Sequence, residues 1–169
     1  NISETGHGNV AHFRDMIQAV KSDVFASVPN QRQEGFLNLL SDVIKKLGFS
    51  VSNFIPTFVE LILGILGNIE APKEDEKKDD ASDEEPKDIV GSSRNCKLRS
   101  LCFNRLSELM SQFAGHIDFL QFSETLWAVT SRALDTLPSS TINASNAPSL
   151  LVLLGTMSAH DSLLPILAV

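Results

Sequence analysis

Four cations, Arg94, Lys97, Arg99 and Arg105, fall within twelve residues of one helical-looking segment. Guanidinium and ammonium groups at that density suit phosphate oxygens or an acidic protein surface. They are the candidate RNA or protein contacts. The plainer alternative is a solvated helix face that pairs with an acidic stretch just upstream. That stretch holds a second chemistry-bearing motif, Ser82-Asp83-Glu84-Glu85. A serine followed by acids is a substrate for an acidophilic kinase, so Ser82 is a candidate phosphorylation site. Phosphate would add about −1.5 to −2 charge there. Its effect would be more repulsion and no new fold.

Catalysis needs a nucleophile beside a base, a glycine-rich phosphate loop, or carboxylates on one face. None of these patterns is present, and the chain is read as having no catalytic residue, no cofactor site and no metal site. His7 and His12 are five apart, a poor spacing for one helix face; His116 and His160 fall at predicted helix ends, where a His caps carbonyls. No Cys or His cluster has zinc spacing. Cys96 and Cys102 are six apart on one predicted helix, so they are not placed to pair. They are expected as free, buried thiols of a reducing compartment. The sequons at Asn1 and Asn143 are read as chance occurrences.

These residues sit on a chain divided by one segment, residues 71–91, APKEDEKKDDASDEEPKDIVG. It carries nine carboxylates against four lysines, net −5 of the chain's −7, which leaves −2 for the rest. So even a balance excludes a generally basic, nucleic-acid-coated domain. The segment has too little apolar surface to offset an ordering entropy of ~1–2 kcal/mol per residue. It is expected to be a disordered acidic linker. The division is therefore 1–70 helical, 71–91 linker, and 92–169 helical again. The opening residues show no signal pattern. The chain starts at Asn1 and closes on the apolar run LLPILAV, and both ends are read as cut from a longer chain.

Residues 1–9 read as loop. Val10, Phe13, Ile17, Val20, Val24 and Val28 then recur at three and four, a helical stripe over 10–28. A second helix is predicted over 31–47, with Phe36, Leu39, Leu40, Val43, Ile44 and Leu47 on its apolar face and Gly48 as a left-handed cap. The third, 53–69, is the most apolar. Its run is about 16 residues long where a membrane span needs ~20 apolar residues, and it contains Glu60 and Asn68. A buried helix of a stack fits it better than a span. Ser52 or Asn53 is expected to cap it. A fourth helix is predicted from Ser92 or Ser93 to Ala114, with Leu98, Leu101, Cys102, Leu106, Leu109, Met110 and Phe113 in a stripe and the cations on the other face. A fifth covers 118–137 and ends at Pro138. A sixth spans 147–157, and a last one begins after Asp161.

An internal repeat organises these helices. Leu40-Ser41-Asp42-Val43-Ile44-Lys45-Lys46-Leu47 aligns with Leu106-Ser107-Glu108-Leu109-Met110-Ser111-Gln112-Phe113. Two positions are identical and four more keep their class. The offset is 66 residues, or 45 once the 21-residue linker is removed. That period lies in the ~40–47 range of HEAT and armadillo units. One helical hairpin cannot cover its own apolar face, so such units stack and eject insertions as loops. The fold class expected is all-α: an α-solenoid of HEAT/armadillo-like antiparallel helical hairpins with a disordered acidic insertion.

The stretch CKLRSLCFNRLSELMSQFAGHIDF, followed by FSETLWAVTSRALDTLP and APSLLVLLGTMSAHDSLLPIL, resembles the "down-regulated in metastasis" family of very large HEAT-repeat proteins. The matched features are an Arg-containing helix (Lys97 to Phe113), Asp118-Phe119, Trp127, Leu137-Pro138 and Pro148 to Leu151. The resemblance implies an internal piece of a non-enzymatic nucleolar scaffold of the small-subunit processome. It implies ribosome biogenesis and pre-rRNA processing as the setting. Its partners would be neighbouring repeats of the same long chain, ribosome-assembly proteins, and pre-rRNA through the basic helix face, with no membrane. The alternative is a HEAT-like adaptor in transport or signalling that binds peptides in its groove.

One expectation is separable from all of this. Amide hydrogen exchange across 71–91 should run at near-unprotected rates while the helices are protected; strong protection within 75–86 would remove the linker reading.

Overall fold

The computed structural model describes residues 28–70, 88–137 and 145–168, with His12 and Asp15 as isolated helical positions. The helix predicted over 10–28, the sequons, and residues 71–87 of the acidic stretch, Ser82 among them, lie outside the described residues. Five helices are defined among the described residues: α1 (Asn30–Leu47), α2 (Ile55–Glu70), α3 (Asp88–Phe113), α4 (Ser123–Thr136) and α5 (Ala147–Ala159). Short 3-10 turns precede α2 and α4, at Gly48–Phe54 and Phe119–Phe122, and a third follows α5 at Leu164–Ala168. No strand occurs among the described residues, so the chain is all-α, as expected.

The hairpins repeat in structure as well as in sequence. Each of α1 and α3 ends beside a glycine of positive φ, Gly48 at 55° and Gly115 at 78°. A side chain at either position would be strained against its own backbone. A 3-10 turn and a second apolar helix follow each glycine. Burial also recurs at the offset of 66: Leu37 with Phe103, Leu40 with Leu106, Ser41 with Ser107 and Ile44 with Met110 are buried in both units.

The direction of stacking follows from side-chain bonds across the helices. Asn30 Nδ2 donates to Asn95 Oδ1 at 2.7 Å, and Arg105 donates to Asn38 Oδ1 at 2.8 Å, separations of 65 and 67 residues. A near-constant separation means that α1 and α3 run parallel; an antiparallel pair would hold the sum of the numbers constant. The relation recurs between α3 and α5. Ser100 Oγ donates to Asn146 Oδ1 at 2.6 Å, and Ser107 Oγ lies 2.6 Å from Thr156 Oγ1, separations of 46 and 49. First helices stacked parallel, with second helices returning between them, form an α-solenoid fragment. The α3-to-α5 interval sits close to the expected 45, and the α1-to-α3 interval exceeds it by about the length of the acidic stretch.

α3 is the middle of the stack. It packs most extensively on α5 and then on α2 and α1. A helix covered on several sides needs more than one apolar stripe. Cys96, Leu98, Cys102, Phe103, Leu106, Leu109, Met110 and Phe113 are accordingly all buried. α2 contributes Ile55, Phe58, Val59, Ile62, Leu63, Ile65 and Leu66 to the same core. By length and composition alone, Asn30–Ile69 is long and apolar enough to cross a membrane. Here it is two helices divided at Gly48. The sixteen residues of α2 rise only ~24 Å, against ~30 Å of hydrocarbon, and its apolar side is covered by α3 and α4.

Several expectations shift. Leu37, Leu40 and Ile44 form the buried line of α1, while Leu39 is 51% exposed and Phe36, Val43 and Leu47 are half-buried. The face is turned because α1 must meet both α3 and its own 3-10 turn. Ser52 and Asn53 lie inside that turn, and helical backbone continues from it into α2 at Ile55. α3 begins at Asp88, inside the stretch assigned to the linker, just after Pro86 and Lys87. α5 runs two residues further than expected, and a 3-10 turn stands in place of the last helix.

Leu109 lies in the core and Leu39 does not. Leu109→Ala should therefore cost ~2–5 kcal/mol, and Leu39→Ala about 0.5 kcal/mol or less. Urea unfolding of the two variants checks the assignment, and equal costs would contradict the faces described.

Candidate interaction face of the third helix

The four cations do not share one open face. Helical positions turn by ~100° per residue, so Lys97 and Arg99 point about 160° apart. Lys97 is exposed and Arg99 is half-buried. Arg94 lies in α3, but its side chain is outside the described set. Arg105 is drawn inward. Its side chain is 15% exposed, and its guanidinium donates to Glu108 Oε2 one turn on and to Asn38 Oδ1 on α1. Apolar stripes occupy so much of α3 that the cations are left to the seams between them.

Glu108 is the centre that results. It accepts from Ser41 Oγ at 3.1 Å and from Arg105, and Lys45 Nζ stands 3.6 Å away. Partial burial works to raise its pKa. The hydrogen bond and charge of Arg105 outweigh that, with help from Ser41 and Lys45, and hold the carboxyl below its usual range. Ser41, Lys45, Arg105 and Glu108 border a crevice of about 10 Å³, room for no more than one water. The cluster ties α1 to α3 and has no space for a substrate.

Ser107, the repeat equivalent of Ser41, ties α3 to α5. Thr156 Oγ1 already donates to Val152 O at 2.9 Å, so Ser107 is the donor in their contact. The conserved-looking Leu-Ser pair of the internal repeat therefore places one buried hydroxyl at each seam. Sequence comparison found the pair as pattern but did not assign it this work. Glu108 and Asn38 were missed altogether, because neither stands out without its partner helix.

Both thiols are buried, and neither is in a disulfide. Burial pushes the Cys102 thiol far up, with Glu34 adding to the effect, and a thiol so placed is inert. Among the described residues, no three His, Cys, Asp or Glu side chains gather to hold a metal. His116 is exposed beside the Gly115 turn, its Nδ1 3.4 Å from Ala114 O. Its ring stacks on Phe49, with centroids 4.5 Å apart and planes at 26°. Phe49 in turn meets the buried Phe113 edge to face at 5.4 Å.

A family model described as "U3 small nucleolar RNA-associated protein 20, N-terminal" matches residues 3–169. No curated protein and no solved structure matches significantly.

The depressed Glu108 carboxyl gives stability a defined pH dependence. Its contribution is complete above the ordinary carboxylate value, 4.5, and is lost as pH falls through the lower folded value. In urea titrations, Glu108→Gln should be less stable than wild type at pH 7, and the gap should narrow as pH falls from about 5 to 3. A gap that stays constant over that range would show that the carboxylate charge is not what ties the seam.

Proposed function

The chain belongs to the U3 small nucleolar RNA-associated protein 20 N-terminal family, the family of the processome proteins that its second half resembles, and we propose that it is a non-enzymatic HEAT-type scaffold segment in nucleolar assembly of the small ribosomal subunit. The family makes it a component of the small-subunit processome. The match over residues 3–169 is the observation that carries the reading, since it spans both halves of the fold and the acidic stretch between them.

The geometry is in keeping with a scaffold. Parallel first helices build one continuous core, and the charged residues of the seam are spent on holding neighbouring units in register. The crevice at Glu108 admits a water molecule and no more. A stack of this kind offers extended surface for holding RNA and assembly proteins by shape. Its proposed partners are neighbouring repeats of its own longer chain, assembly proteins and pre-rRNA, in the nucleolus and away from membranes. Of the four cations first considered as contacts, Lys97 is placed for phosphate or protein, while Arg105 serves the fold; Arg94 and Arg99 stay as candidates. Ser82 stays as the candidate phosphorylation site in the acidic stretch.

Affinity purification of the full-length protein from cells, with sequencing of RNA and identification of proteins, tests the proposal. Small-subunit precursor RNA and nucleolar assembly factors should be enriched. Import cargo or signalling subunits without precursor RNA would point to a peptide-binding adaptor instead.

A further inference from the structure

Phe49 and His116 occupy equivalent places in successive units: each directly follows the positive-φ glycine that ends a first helix. The two turns bring their rings together on one edge of the stack. Phe49 is 53% exposed, and His116 is exposed too. Neither ring is needed to fill the core, which closes beneath them at Phe113. A half-exposed phenylalanine on a surface, held flat by a second ring, is an unusual use of apolar area in a fold that buries its other described phenylalanines at least in part.

The chain just before Phe49 is basic: Lys45 and Lys46 stand in the last turn of α1, four and three residues before it. Lys45 is engaged with Glu108, and Lys46 is exposed. The carboxylate nearest His116 in sequence, Asp118, is turned to backbone and accepts from Leu120 N at 3.0 Å. An exposed ring and an exposed cation three residues before it are the two groups that a nucleotide's base and phosphate call for.

We propose that the Phe49–His116 pair is a stacking platform for an unpaired base of single-stranded RNA, with Lys46 meeting the adjoining phosphate. Aromatic and imidazole rings take any base by its π face, and duplex RNA offers no such face. The proposal rests on the reading of this chain as a pre-ribosomal component, and it moves the RNA contact from α3 to the turn edge.

The full chain is titrated with a single-stranded RNA dodecamer carrying 2-aminopurine, and both anisotropy and base fluorescence are recorded. Wild type should bind and quench the base. Phe49→Ala and His116→Ala should each weaken binding about tenfold, with most of the quench lost. Phe49→Trp should keep both. Lys46→Ala should lower the salt slope by about one contact. Thermal melts by circular dichroism confirm that each variant is folded. No binding by wild type, binding by both alanine variants as tight as that of wild type, or equally tight binding of a duplex of the same sequence overturns the proposal. So does a Phe49→Ala pull-down that loses an assembly protein and keeps its RNA. If wild type enriches precursor RNA in cells while the alanine variants match it in every assay, the platform alone fails. If wild type enriches none, the scaffold reading fails first.

Discussion

The structure depends on one constraint: α3 has to be covered on several sides at once. A helix with a single apolar stripe can close a two-layer hairpin, but it cannot sit inside a stack. α3 meets α1, α2 and α5, so its sequence spends residues on core in almost every direction. Phe103 and Ser107, both buried, lie outside the apolar stripe, where a surface helix would carry charge. The cations that remain are confined to narrow strips, which is why Arg105 ends in a seam with Glu108 and Asn38 rather than in solvent. Packing demand at the centre thus decides how much of the helix is left for partners.

The seams carry a second layer of specification. Apolar contact between parallel helices is tolerant of small slips, because Leu, Ile and Met surfaces are alike from turn to turn. A hydroxyl or carboxylate is not tolerant in this way. Once half-buried, it must find its partner or lose hydrogen bonds to water without replacement. Ser41 with Glu108, and Ser107 with Thr156, therefore select one register from several that the apolar surfaces would accept. Their net energy is modest, since partly exposed ion pairs contribute little. Their effect is on which alignment is unique.

Much of this was legible in the chain, for a physical reason. Solenoid units are local, so period, glycine position and apolar stripes all report on contacts close in sequence. The offset between Leu40–Leu47 and Leu106–Phe113 anticipated the parallel stack, and the 45-residue period matches the α3-to-α5 interval. What sequence left open was rotation. Leu37 and Leu39 are equally apolar, and only the neighbouring helix decides which turns inward. The basic face failed on the same point: spacing alone did not reveal that α3 lacked a free side wide enough to hold four cations. The 3-10 turns before α2 and α4 are not visible in sequence: Phe119–Phe122 reads as a continuation of the next helix, and Gly48–Phe54 mixes Ser and Asn with Phe and Val and shows no clear period. The Phe49–His116 stack joins two turns 67 residues apart, and no local pattern announces it.

The polar ties have a mechanical consequence. They run from helix to helix along the stack, near Asn30, Asn38 and Ser41 at one seam and near Ser100 and Ser107 at the next. Bonds in that direction resist one helix sliding along another, since sliding by a single turn would break every tie in the seam together. Bending asks much less, because small tilts spread over soft apolar contacts leave each short bond within reach. The stack is thus stiff in shear and compliant in flexure. A stack built this way can change its curvature while its units keep their register.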